Sequence, residues 1–249
     1  MRNALRKNHV MNLMESDNMH QNQPLIGLLG GTSWPSTISY YRYLNQQIQQ
    51  RFGMVHSARI MLYSMDYAPI KSLYHAGWNH IPALLEQEID FFLEKQPDCL
   101  ILCNNTLHRA LDTIMARRSL SIKIHHAGHV TADAAIHLGY QRVLLLGTCF
   151  TMEDGFFAHY LTQRGVDVCI PNVQDREQIG QMQAQVACGA DPILYRDALL
   201  RIVQHYGDVD AVILACTELP LILDKAHRPI LDPARLQCDA ALKTYEISP

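Results

Sequence analysis

Long apolar runs are missing from this chain of 249 residues. None approaches the roughly 20 residues that a membrane-spanning helix requires, so no membrane association is expected. A surplus of positive charge is missing too: the formal net charge is −3, which removes any general attraction to nucleic acid. Among the seven cysteines there is no CxxC pair, and the thirteen histidines form no HExxH or comparable ligand spacing, so no metal site is expected. Gly30-Gly31 superficially looks like a phosphate loop, but neither GxGxxG nor a Walker lysine accompanies it, which argues against nucleotide binding. Residues 1–23 carry a basic patch (Arg2, Arg6, Lys7) but lack the apolar core of a secretion signal. They read as a mobile leader, with Met14 or Met19 as possible later starts; Glu15 and Asp17 argue against a mitochondrial presequence. An odd number of cysteines, several in apolar runs and none behind a secretion signal, points to free thiols and a reducing cytoplasm.

What is present is a 48% hydrophobic chain, long enough for a large core in one big or two small domains. One arrangement occurs twice: an apolar run ending in a cysteine-containing polar cluster. The first is Cys99-Leu100-Ile101-Leu102-Cys103-Asn104-Asn105-Thr106, the second Ala211-Val212-Ile213-Leu214-Ala215-Cys216-Thr217-Glu218. Such runs read as buried parallel strands, and open α/β sheets build their sites at the carboxyl ends of such strands. Two of these ends set face to face could place a thiol or an amide on either side of one small molecule. That geometry suits removing a proton from one face of a carbon and returning one to the other.

Strand and helix signals alternate along the chain. Pro24 to Gly31 reads as a strand closing in a glycine turn, with Ser36 or Thr37 capping a helix through Tyr41, Leu44 and Ile48. Arg59 to Ser64, Cys99 to Leu102, Ile122 to Ile124, Val143 to Leu146, Val166 to Ile170 and Ala211 to Leu214 read as further strands. Helical segments are expected over Ile81 to Lys95, Leu107 to Arg117, Thr131 to Leu138, Phe156 to Gln163 and Ile193 to His205. The pattern predicts an α/β fold with mainly parallel sheets and two halves of similar layout.

At these residues the chain resembles the cofactor-independent aspartate/glutamate racemase family. The resemblance runs from Leu25 to Leu242. It is carried by Gly27 to Thr37 with Tyr40, Tyr41 and Asn45, by Arg51 with His56-Ser57-Ala58, by Asn105-Thr106-Leu107-His108, by Leu146 to Glu153, and by Cys216-Thr217-Glu218-Leu219. It implies two similar α/β domains related by a pseudo-twofold, a site in the cleft between them, and often a homodimer. The expected division is 24–118 plus 228–249 for the first domain and 119–227 for the second. The implied chemistry is removal of the α-proton of a small acidic amino acid, aspartate or glutamate, by a thiolate, with reprotonation on the other face and no cofactor.

One departure bears on that chemistry. The first catalytic residue of the family directly precedes the Asn-Thr pair, and here that position is Asn104, with Cys103 one residue earlier. Adjacent strand residues point to opposite faces. In one reading Asn104 faces the cleft and only binds, orienting a carboxylate or intermediate, and Cys216 is the lone protonating group; such a one-thiol site can still exchange, decarboxylate or isomerise stereoselectively, and a buried Cys103 would favour it. In the other, a local shift turns Cys103 toward the substrate and two-thiol racemisation survives. A silent carboxylate-binding protein is a third outcome. Further departures are Thr32, Gln237, Asp232-Pro233 and the absence of an acidic residue near Gly128. The catalytic candidates are therefore Cys216, Asn104 and Cys103. Asn105, Thr106, Thr217, Thr148, Thr151, Thr32, Ser33 and the family-placed basic Arg51 are candidates for holding the substrate, with Arg176 as a second basic candidate. Thr148 and Thr151 are equally good as helix caps, and Cys149, Cys169, Cys188 and Cys238 read as structural thiols.

Overall fold

The computed structural model describes residues 23–246 except residue 75, so the expected leader lies outside the described residues save for Gln23. Two four-stranded sheets, each parallel throughout, form the frame. The first contains β1 (Ile26–Gly30), β2 (Ile60–Ser64), β3 (Cys99–Leu102) and β4 (Lys123–Ile124) in the order β2-β1-β3-β4. The second contains β5 (Arg142–Leu146), β6 (Asp167–Cys169), β7 (Ala211–Leu214) and β8 (Ile230–Leu231) in the order β6-β5-β7-β8. The same order in both halves gives physical form to the duplicated layout. Among the described residues no helix is long and apolar enough to cross a membrane.

Burial on both faces explains why the central strands read as unbroken apolar runs. In the first half, Leu29, Leu100 and Leu102 meet α3 (Ile81–Leu93) and α4 (His108–Arg117) through Leu85, Ile89, Phe92, Leu111 and Ile114. On the opposite face Ile26, Leu28, Ile101 and Cys103 meet Leu44 and Ile48 of α1 (Trp34–Phe52) and Ala241 and Leu242 of α11 (Pro233–Leu242). In the second half, Leu144, Leu146, Val212 and Leu214 pack on Ile179, Met182 and Val186 of α8 (Val173–Ala187) and on Leu199 and Ile202 of α9 (Arg196–His205). Val143, Leu145 and Ile213 pack on α5 (Ala127–His137) and α7 (Phe156–Thr162).

The chain crosses between halves twice, and each crossing lies later than the expected divisions after 118 and before 228. β4 still pairs with β3, and only the following α5 covers the second sheet. β8 pairs with β7, so the return to the first half is made by α11. Each two-residue edge strand is too short to carry a readable periodicity. Three local expectations shift as well. Helix α1 starts at Trp34 with Ser33 as its N-cap, and the hydroxyls of Ser36 and Thr37 donate back to the Ser33 carbonyl instead of capping. Helix α5 starts at Ala127, four residues before the expected Thr131. The polar helix α8, capped by Asn172 Oδ1 accepting from Asp175 N at 2.9 Å, has no counterpart among the expected segments.

Gly31 makes the turn from β1 into α1 at φ +92°, pressed against the end of β2. A Cβ there would stand 2.2 Å from the Met65 carbonyl oxygen and 2.6 Å from its nitrogen. Gly31→Ala combines the left-handed penalty with a backbone collision, so we expect a loss of about 3 kcal/mol. A denaturant midpoint unchanged from the native protein would contradict this.

Candidate active site

The carboxyl ends of β1, β3, β5 and β7 converge on one cavity of about 760 Å³ lined from both halves. Its size suits a small metabolite with its water. From the first half come Thr32, Ser33, Tyr67, Lys71, Tyr74, Asn104, Asn105 and Thr106. From the second come Thr148, Cys149, Phe150, Cys216, Thr217, Glu218 and the α8 side chains Glu177, Gln181 and Gln183.

Cys216 follows directly on β7, where Ala215 N still donates to Leu146 O at 2.6 Å and so continues the ladder. The residue is buried, with 5% exposure, and its thiol donates to Glu218 Oε2 at 3.0 Å, with Gln183 Oε1 at 3.5 Å. The Thr217 hydroxyl donates to the same carboxylate oxygen at 3.1 Å. Burial, and then the negative charge of Glu218, push the Cys216 thiol well up, while Lys71 pulls the other way. The resting arrangement is therefore a thiol hydrogen-bonded to a carboxylate that can accept its proton. The pair can cycle between S–H and thiolate as a ligand's own charge enters the cleft.

The facing wall is built on the end of β3. Period-two alternation sends Cys99, Ile101 and Cys103 to the α1 and α11 face. Cys103 has 0% exposure and donates to Ile101 O at 3.8 Å, and burial pushes its thiol up. The local shift that would turn Cys103 to the cleft is thus not adopted. Asn104 is on the cavity wall instead. Its Oδ1 accepts from Leu107 N at 2.8 Å, and its carbonyl oxygen lies 2.8 Å from His108 Nδ1. The Tyr67 hydroxyl bonds the Tyr74 hydroxyl, and the side chains of Asn104 and Thr106 line the cavity beside this pair. Asn105 lines the cavity with a buried Oδ1 that has no partner, a cost of about 1–3 kcal/mol that an incoming N–H donor would relieve.

Behind this wall lies a buried polar network. The Gln237 amide donates to His125 O at 2.7 Å and lies 3.4 Å from His108 Nε2, while its Oε1 accepts from Tyr40 at 3.1 Å. His108 then carries its proton on Nδ1, donating to Asn104 O, a tautomer assigned from these partners. Burial holds His108 well below the usual histidine range, and burial with Lys123 holds His125 at about 4. Both titrate near 6.5 when unfolded. As pH falls below 6.5 the unfolded chain binds protons that the folded chain refuses, so stability is lost down to about pH 4. At about 1.4 kcal/mol per unit, His125 alone accounts for about 3 kcal/mol. A denaturant midpoint that stays flat from about pH 7 to 4.5 would contradict the assignment.

Of the residues expected to hold a substrate, Thr32, Ser33, Asn105, Thr106, Thr148 and Thr217 reach the cavity. Thr148 also caps α6 (Cys149–Glu153), its hydroxyl accepting from Thr151 N at 3.1 Å. Thr151 does not reach the cavity. It is fully buried, and its hydroxyl lies 2.9 Å from that of Thr148 and 3.3 Å from that of Thr106, bracing two wall residues from opposite halves. Arg51 sits in the last turn of α1, which points away from the cleft, and its Nη1 donates to Leu242 O at 3.4 Å. Arg176 is held by Glu153 at 3.1 Å and by Pro171 O at 3.0 Å. Lys71 is the cation on the cavity wall among the described residues, its Nζ 4.6 Å from the Tyr74 ring centroid. Two thiols expected to be structural, Cys149 and Cys188, also line the cavity. Sequence reasoning missed Tyr67, Lys71, Tyr74 and Gln183 and gave Glu218 no role of its own; the available signals were the carboxyl end of β2 just before Tyr67, the Asn172 cap that announces α8 and the place of Glu218 two residues after Cys216.

The profile described as Asp/Glu/Hydantoin racemase matches residues 29–241. The chain is 32% identical over 102 residues to an uncharacterized protein of Pectobacterium carotovorum subsp. carotovorum, covering 40% of this chain and 67% of that one. A protein of Yersinia pestis described as a candidate Asp/Glu racemase superimposes with a TM-score of 0.78 at 32% identity, covering 90% of this chain and 100% of that one. Picrophilus torridus aspartate racemase superimposes with a TM-score of 0.75, covering 90% and 94%; its 21% identity speaks for the fold alone. The order of strands, the cleft between the two sheets and the profile match agree: the chain belongs to the Asp/Glu/hydantoin racemase family.

Proposed function

We propose that the protein is a cofactor-independent amino-acid racemase that inverts the α-carbon of a small acidic amino acid, with Cys216 as the acid/base thiol. The observation that carries the reading is the Cys216 thiol set 3.0 Å from the Glu218 carboxylate on the wall of a two-sided cleft. The hard step is the weak acidity of an α-proton next to a carboxylate. Donors at the strand ends, among them the hydroxyl of Thr106, hold that carboxylate as charge builds on it. The Asn105 Oδ1 accepts from the substrate ammonium, and Lys71 attracts a side-chain carboxylate. Glu218 takes the thiol proton, the thiolate takes the α-proton, and reprotonation from the far face inverts the centre.

A second reading is favoured by the burial of Cys103 and by the amide at position 104. With one thiol on the β7 end and no thiol at the β3 end, the same site suits stereoselective decarboxylation or isomerisation of a small carboxylic acid. Incubating each enantiomer of aspartate, glutamate and several neutral amino acids, followed by chiral chromatography, separates the two. Appearance of the opposite enantiomer is expected; unchanged enantiomeric purity with every compound would overturn the racemase reading.

A further inference from the structure

Inversion needs a proton donor on the wall opposite Cys216, and the residues at the end of β3 do not supply it. An amide does not transfer protons near neutral pH, and Cys103 faces the core. What the first-half wall does present is a pair of phenols. Tyr67 lies three residues past β2, at the carboxyl edge of the first sheet, and Tyr74 follows shortly after α2 (Ala68–Lys71). Both line the cavity, and their hydroxyls are hydrogen-bonded to one another. Asn104 and Thr106, at the end of β3, line the same cavity beside this pair. Asn104 is itself immobilised by Leu107 N at 2.8 Å. The group at the expected catalytic position thus shares its cavity wall with a phenol.

We propose that Tyr67 is the acid of the first-half wall, delivering a proton to the α-carbon from the side opposite Cys216, with Tyr74 as its proton relay. The proposal rests on the racemase reading above. In the forward step the Cα–H bond breaks and its proton passes to the Cys216 thiolate. The carbanion pair then forms a new Cα–H bond with the Tyr67 hydroxyl proton, leaving a phenolate. The phenolate is reprotonated through Tyr74 from water, and Glu218 releases to water the proton it took from the thiol, which restores Cys216 as S–H, Glu218 as carboxylate and Tyr67 as phenol.

Burial lifts Tyr67 to about 12, the remaining hydrogen bonds only partly opposing it. A phenol held protonated is a competent acid and a poor base. The two enantiomers can therefore differ in kcat and in KM, while kcat/KM is the same in both directions because the equilibrium constant of a racemisation is one.

The test compares the native protein with Tyr67→Phe and Tyr74→Phe in D₂O, reading α-deuterium incorporation by NMR and inversion by chiral chromatography in the same samples. Tyr67→Phe is expected to keep Cys216-dependent exchange within about 3-fold while inversion falls about 100-fold or more. Tyr74→Phe, which retains the donor but removes the relay, is expected to slow inversion about 10-fold, a smaller fall than that of Tyr67→Phe. Should Tyr67→Phe fail to fold, 3-fluorotyrosine at position 67 keeps the shape and changes the acidity; inversion then shifts while exchange does not. Native-like inversion by Tyr67→Phe, or equal loss of exchange and inversion, would overturn the assignment. Native protein that exchanges only with retention would overturn the Tyr67 role and leave Cys216 chemistry standing, whereas no exchange at all would remove the racemase reading as well.

Discussion

Replacing Cys216 by serine is expected to lower kcat/KM by about 10⁴-fold for the enantiomer consumed, with thermal stability changed by less than about 1 kcal/mol. The two side chains differ little in volume, and the serine hydroxyl can keep the hydrogen bond to Glu218 Oε2 that the thiol makes at 3.0 Å. What is lost is proton transfer, because an alcohol is a far weaker acid than a thiol and does not yield a useful base to a neighbouring carboxylate. Steady-state kinetics by chiral chromatography and a melting curve on the same preparation check both halves of the prediction. Activity within about 10-fold of the native protein would remove Cys216 from the chemistry.

Glu218→Gln is expected to produce the second largest effect, a fall in kcat/KM of about 10²- to 10³-fold. The carboxylate does two things to the thiol. It accepts the S–H proton, and its charge pushes the thiol up, second only to burial as a cause. A glutamine removes both. The sign of the second effect is opposite to that of the first: without the charge, the thiol titrates at lower pH than in the native protein. Thiolate absorbance followed against pH should therefore rise earlier in the variant even though catalysis is slower. A variant that is slow but titrates as the native protein does would mean that Glu218 acts on structure and not on the thiol. Because the thiol is raised in the folded state, it also draws stability out of the protein as pH climbs past the unfolded value of 9.0. That alkaline loss should be shallower in Glu218→Gln.

Much of this site is legible in the amino-acid sequence. Cys216 stood out because a buried strand ended in Cys-Thr-Glu, and strand ends in parallel sheets face the cleft for reasons of topology alone. Period-two alternation likewise separated Cys103 from Asn104, since β3 alternates between the α1 and α4 faces all along its length. Tyr67, Lys71 and Tyr74 were not legible, because they sit in a loop and a one-turn helix where neither periodicity nor spacing says which way a side chain turns. Their place depends on the path from β2 to α3, which packing decides. Helix α8 was missed for a different reason: only Ile179, Met182 and Val186 are buried in a segment otherwise rich in glutamine, so its apolar stripe is thin. Arg51 illustrates the limit of reading a charge from position. It lies near the cleft along the sequence of motifs but at the far end of a 19-residue helix in space. The short strands β4 and β8 were invisible as boundaries, because two residues carry no pattern, and it is their pairing that sets where the chain crosses.

The most direct test of the central claim is α-proton exchange in D₂O, followed by proton NMR with and without the Cys216→Ser change, on both enantiomers of aspartate and glutamate. Loss of the α-proton signal is expected with native protein, accompanied by the opposite enantiomer, and no loss above background with Cys216→Ser. Exchange that persists undiminished in Cys216→Ser would contradict that claim.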